Sequence, residues 1–111
     1  MPMSLRIEST RRGALYPGFS MADVYQEIVH FTGHVQGVGF RYTTLQVAKE
    51  FEVTGRVSNL ADGRVHLQAE GNSREVNAFI AALEERMHGY IRRVERRSAT
   101  GPAEFSDFRI Q

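Results

Sequence analysis

The chain has 111 residues, 41% hydrophobic and 24% charged, with 14 Lys and Arg against 13 Asp and Glu for a net charge of +1. That length holds one ordinary domain, and the near balance of charge argues against affinity resting on a broad phosphate-binding surface, so no nucleic-acid partner is expected. No apolar run approaches the roughly 18 residues of a membrane span, and there is no cysteine for a disulfide, a thiolate metal site or a thiol nucleophile.

The four histidines, His30, His34, His66 and His88, show no HxH or HxxxH pairing and no acidic cluster beside them. The expectation is a soluble, cytoplasmic, monomeric protein with no membrane partner and no metal or other cofactor. Residues 1–23 stand apart: they carry Pro2, Gly13, Pro17 and Gly18, show no periodicity, and lack the apolar segment of a secretory signal. Arginine and serine are present, but Glu8 and the missing amphipathic face argue against organelle targeting. This segment reads as a disordered extension or leader ahead of an internal start near Met21, and the domain runs from 24 to 111.

Tyr25 to Thr32, rich in β-branched and aromatic residues and followed by glycine, predicts a strand. The period then changes, with Leu45, Ala48 and Phe51 at helical spacing and Val47 widening the face, which predicts a helix over Tyr42 to Glu52. VTGRVSN and RVHLQAEG follow as a hairpin around LADG, where Asp62 and Gly63 suit a tight turn. Val65, Leu67 and Ala69 fall on one face of the second hairpin strand; His66, Gln68 and Glu70 fall on the other.

NSREVNAFIAALEERM predicts the second helix, with Asn72 as cap, Glu75 reaching back in a capping box, and Val76, Phe79, Ile80, Leu83 and Met87 forming one apolar stripe. Gly89 is the expected helix end. Ile91 to Thr100 predicts a fourth strand whose RRVERR run reads as a solvated, edge-protecting face, and Phe105 to Ile110 predicts a short closing strand. Two short helices and a small sheet pack economically with both helices on one face of an antiparallel sheet. The expected class is α+β, a ferredoxin-like α/β sandwich of βαββαβ order with a short extra C-terminal strand. The split βαβ order places the first strand centrally, beside the strand that follows the hairpin.

Chemistry concentrates in two segments. GHVQGVGFRYTT, from Gly33 to Thr44, joins the first strand to the first helix. A glycine-rich loop at a helix start lets successive amides converge on an anion, and Arg41 can add a bidentate, charge-assisted contact. The segment matches neither the Walker nor the dinucleotide pattern, and on glycine spacing alone a tight turn is the favoured reading. GRVSNLADG places Asn59 just before the hairpin turn, where by itself it reads as a turn residue.

Together the two segments resemble the acylphosphatase family over nearly all of the chain from Val24 to Ile110. The first signature, G-x-V-Q-G-V-x-F-R, stands complete as Gly33, Val35, Gln36, Gly37, Val38, Phe40 and Arg41; the second, G-x-V-x-N-x-x-D-G-x-V, is matched by Gly55, Val57, Asn59, Asp62, Gly63 and Val65. The resemblance implies a ferredoxin-like fold and hydrolysis of small-molecule acyl phosphates to a carboxylate and inorganic phosphate, without metal or covalent intermediate. It implies that amides of Gly37, Val38, Gly39, Phe40 and Arg41 cradle the phosphoryl oxygens, that the Arg41 guanidinium binds them, and that Asn59 positions the attacking water. An acyl phosphate is a mixed anhydride with a stable carboxylate leaving group, so positioning and charge stabilisation suffice without a general acid.

Arg56 and Ser58 depart from the aromatic residue and arginine that family members commonly carry, which bears on the surroundings of Asn59; the family's Gly-Pro after the second helix is replaced by MHGYIRR. Within the first motif His34 reads as solvent-facing; His30 and His66 read as sheet residues and His88 as a helix-end residue. The alternative to an enzyme is a non-catalytic acylphosphatase-like module binding an anion or RNA through its sheet, against which RVHLQAEG lacks the exposed aromatics of RNA-reading sheets. A regulatory domain of a larger carbamoyl-transfer protein is a third reading, weakened because the chain ends with the domain.

Overall fold

The computed structural model describes residues 23–111. The extension expected over 1–23 therefore lies outside the described residues, except for Asp23, which already belongs to the first strand. The elements are β1 (Asp23–Gly33), α1 (Phe40–Ala48), β2 (Val53–Asn59), β3 (Val65–Gly71), α2 (Ser73–Arg86), β4 (Ile91–Pro102) and β5 (Phe108–Ile110).

They form one sheet of order β4-β1-β3-β2-β5, so β1 lies between the strand that follows the hairpin and the hairpin itself. The pairs β1–β3, β1–β4 and β2–β3 are antiparallel, whereas β5 joins β2 in parallel. This is the ferredoxin-like α+β architecture with one extra strand that makes the sheet mixed at a single edge. β5 begins at Phe108 rather than Phe105 because the backbone N–H groups of Glu104 and Phe105 donate to the Glu70 carboxylate at 2.9 and 3.1 Å. Amides committed to a side chain on the sheet's open face cannot extend the strand.

Val29 and Phe31 of β1, Val57 of β2, and Val65, Leu67 and Ala69 of β3 alternate onto one face, where they meet Val76, Phe79, Ile80 and Leu83 of α2 and Phe40, Val47 and Ala48 of α1. One cluster contains all of them, so both helices cover the same face. Glu70, expected on the polar side, is only 3% exposed because the β4–β5 connection folds over it.

The first helix starts earlier and ends earlier than the apolar spacing predicts. Its buried residues are Phe40, Thr44, Val47 and Ala48, and Leu45 is only half-buried. Two contacts rotate the stripe: the Phe40 ring packs 5.0 Å from that of Phe31, and the Thr44 hydroxyl donates to the Phe40 carbonyl at 2.8 Å, which makes a threonine acceptable inside. In α2, Asn72 Oδ1 accepts from the Arg74 N–H at 2.9 Å as expected, but the capping box does not close. Glu75 Oε1 instead accepts from the Glu52 N–H at 2.8 Å, tying the turn before β2 to the helix. The helix closes with the Met87 N–H on the Leu83 carbonyl, ahead of Gly89, which lies in the turn leading to β4.

Candidate active site

The loop between β1 and α1 takes its shape from glycines with left-handed backbones, Gly37 at φ 80° and Gly39 at φ 78°. Gly39 caps α1 with no side-chain hydrogen bond, and the first intrahelical bond is from the Thr43 N–H to the Gly39 carbonyl at 2.9 Å. The amides of Phe40, Arg41 and Tyr42 therefore precede the first helical bond and lie at the positive end of the helix dipole.

Gln36 ties this loop to the β2–β3 hairpin. Its side-chain amide donates to the carbonyls of Leu60 at 2.8 Å and Arg64 at 2.9 Å, across 24 and 28 residues of chain. Asn59, the last residue of β2, directly precedes Leu60 and is thereby held against the loop. The hairpin turn is closed by Asp62, whose carboxylate accepts from the Arg64 backbone N–H and Nε at 3.1 and 2.9 Å. Those bonds hold the Asp62 pKa below the ordinary carboxylate value.

A concavity of about 210 Å³ opens between these segments, lined by Val35, Gly37, Gly39, Phe40, Arg41, Tyr42, Asn59 and Ile110. Of the residues expected at the site, Gly37, Gly39, Phe40, Arg41 and Asn59 line it. Val38 does not; its side chain packs against the core. Arg41 makes no ion pair among the described residues, in contrast to Arg56, Arg64, Arg86, Arg93, Arg96 and Arg109. A half-buried guanidinium at a helix N-terminus, sharing its lining with the Asn59 carboxamide, has the chemistry to meet a compact oxyanion.

Sequence reasoning missed Tyr42 and Ile110. Tyr42 directly follows the motif's arginine, and Ile110 reaches the site only through the parallel pairing that sets it opposite Val57. His34 is exposed, as expected. Arg56 and Ser58 alternate onto the open face of the sheet, away from the concavity; Arg56 pairs with Asp107 at 3.0 Å and lies 4.7 Å over the Phe105 ring. The departures from the family pattern at these two positions thus change the far face of β2. No helix among the described residues is long and apolar enough to cross a membrane.

The family model described as Acylphosphatase matches residues 27–110. A protein named acylphosphatase from Paenarthrobacter aurescens is 44% identical over 80 residues, covering 71% of this chain and 85% of its own length. The crystal structure of acylphosphatase from Bacillus subtilis superposes with a TM-score of 0.71 at 27% identity, over 78% of this chain and 98% of that one. The T. kodakarensis HypF structure matches 79% of this chain with only 11% of its own, at a TM-score of 0.63 and 33% identity. Two signature segments converging on one concavity, and relatives that span the domain, lead to one conclusion: the chain belongs to the acylphosphatase family, hydrolases of acyl phosphates.

Proposed function

We propose that this chain hydrolyses acyl phosphates by direct attack of water on phosphorus, with Arg41 binding the phosphoryl oxygens and Asn59 orienting the water. The observation that carries this reading is the meeting of Arg41 and Asn59, 18 residues apart in the chain (59 − 41), at one concavity with Gly37 and Gly39. The amides of the loop from Gly37 to Arg41 complete the cradle. Water oxygen bonds to phosphorus as the bond from phosphorus to the acyl oxygen breaks; the electron pair leaves on the carboxylate, and the water's proton passes to solvent or to phosphate. Arg41 and the amides neutralise charge on the equatorial oxygens, and the Asn59 carboxamide accepts from the water to aim its lone pair.

The open sheet face favours this reading over binding of RNA. Its β1 and β3 residues, Gln26, Ile28, His30, His66, Gln68 and Glu70, include no Phe, Tyr or Trp on which bases would stack.

The test is hydrolysis of benzoyl phosphate by the full chain with chelator present. Arg41→Ala and Asn59→Ala are each expected to lower kcat/KM by roughly 10²- to 10³-fold, with the circular dichroism spectrum retained. An inert wild type, or an Asn59→Ala variant as active as wild type, overturns the mechanism.

A further inference from the structure

Three large hydrophobic side chains are exposed among the described residues: Tyr42 at 63%, Tyr90 at 43% and Ile110 at 40%. Two of them, Tyr42 and Ile110, line the concavity that holds Arg41 and Asn59. Val35 and Phe40 line it as well, at 0 and 2% exposure. Arg41 is the one charged side chain among the described lining residues. Once a phosphoryl group engages it, what remains of the lining beyond Asn59 and the glycines is apolar.

Both exposed side chains are set in place by backbone structure. Tyr42 lies in the first turn of α1, next to Arg41. Ile110 is held opposite Val57 by the β2–β5 pairing, and the Gln111 N–H donates to the Val57 carbonyl at 2.8 Å. β5 is itself anchored by Phe108, whose ring packs edge-on against Phe79 at 5.5 Å. Large apolar side chains held open to water at the rim of a polar site mark a ligand surface, because a ligand's apolar part recovers the burial they forgo.

We infer that Tyr42 and Ile110 form an acyl subsite that selects an apolar, planar acyl group, such as an aroyl group, over acetyl and over acyl chains carrying a second anion. The inference rests on the proposed reading, in which the phosphoryl group sits at Arg41. The ring of Tyr42 and the branched side chain of Ile110 offer contact area to a flat acyl group. Acetyl is too small to cover both, and a second phosphate or carboxylate finds no further cation in the described lining.

The test measures binding by calorimetry to the full chain with non-hydrolysable methylene analogues: phenacylphosphonate for the aroyl phosphate, acetonylphosphonate for acetyl phosphate, and 5-phosphonolevulinate for an acyl phosphate with a second anion. Wild type is expected to bind phenacylphosphonate roughly tenfold more tightly than the other two. Tyr42→Ala and Ile110→Thr should each cut that preference to about threefold or less, and Tyr42→Phe, which keeps the ring, should retain it. Equal affinity for the three analogues in wild type, tighter binding of 5-phosphonolevulinate than of phenacylphosphonate, or an unchanged preference in both Tyr42→Ala and Ile110→Thr overturns the subsite. The two readings fail separately: a chain that shows this binding preference yet hydrolyses no acyl phosphate refutes the hydrolase and upholds the subsite. A chain that hydrolyses benzoyl and acetyl phosphate but shows no preference among the analogues refutes the subsite alone.

Discussion

Gln36 is clamped to Leu60: its side-chain amide donates to that carbonyl at 2.8 Å and to the Arg64 carbonyl at 2.9 Å, joining the β1–α1 loop to the hairpin that carries Asn59. Beyond the β1–β3 ladder, which ends at Phe31 opposite Val65, these bonds tie the loop to the hairpin. Gln36→Ala is expected to reduce benzoyl phosphate turnover roughly tenfold at saturating substrate, because a small misplacement of a positioning group is costly. Stability should fall by about 1 kcal/mol, the usual worth of such bonds. Gln36→Glu, which turns an acceptor toward two carbonyls, should be worse on both counts. Steady-state kinetics paired with urea midpoints checks this; full turnover in Gln36→Ala refutes it.

Gly39, at a variable position inside the first signature, and Gly55 of the second serve different purposes, and alanine separates them. At Gly39 the backbone has φ 78° but a Cβ would meet nothing within 4 Å, so Gly39→Ala costs about 1 kcal/mol through left-handed strain alone. Gly39→Asn should cost less, since asparagine tolerates that region. At Gly55 a Cβ would stand 1.9 Å from the Gln68 carbonyl oxygen and 3.0 Å from the Phe108 ring. Gly55→Ala must separate β2 from β3, and the expected loss is about 3 kcal/mol or more. Chemical denaturation of the three variants should reproduce this order.

Glu27 is a carboxylate on the helix-covered face of the sheet, 3% exposed. Arg96 Nε donates to it at 2.8 Å and the Tyr25 hydroxyl donates to its other oxygen, while Arg96 also reaches Asn77 of α2. The bond to Glu27 raises the Arg96 pKa above its ordinary value. Arg96→Ala leaves a buried carboxylate without its cation and should cost about 2 kcal/mol, less than a fully buried pair because Arg96 is one-third exposed. Glu27→Gln in the Arg96→Ala background should restore part of that loss. A double-mutant cycle by urea unfolding measures it, and zero coupling between the two positions counts against the pair.

On the open face His30 Nε2 and His66 Nδ1 stand 2.9 Å apart, so one ring donates and the other accepts. Burial lowers the His66 pKa first and the charge of His30 lowers it further, against an opposing hydrogen bond from Gln68. The folded value is thus below the ordinary 6.5, and the unfolded chain binds this proton more readily. Stability from this site is present above about pH 6.5 and is lost as the pH falls below it. His66→Gln should flatten the pH dependence of unfolding free energy between about pH 5 and 7. An unchanged slope in that variant, measured by urea unfolding across the range, contradicts it.

Much of the fold was legible because its elements are locally consistent. Val65, Leu67 and Ala69 alternate as a half-buried strand must, and Val76, Phe79, Ile80 and Leu83 recur as a core-facing helix must. The first helix was harder: its stripe runs through Phe40 and Thr44, and a threonine turns inward only once a carbonyl is there to receive its hydroxyl. The capping box failed for a similar reason. Glu75 found a better donor in Glu52, brought beside it by the chain's return into β2.

The sequence by itself determined the strand and helix order, the ferredoxin-like class, and the two motifs containing Arg41 and Asn59, since each depends on spacing within a short stretch of chain. Tertiary structure alone decided that Gln36 bridges loop and hairpin, that Glu70 ties down the β4–β5 connection, and that His30 meets His66. It alone brought Ile110 beside Val57 and into the lining that Tyr42 shares. Each of these joins residues from separate strands or loops. Sheet register and the folding-back of a connection decide such meetings, and neither has a local sequence period.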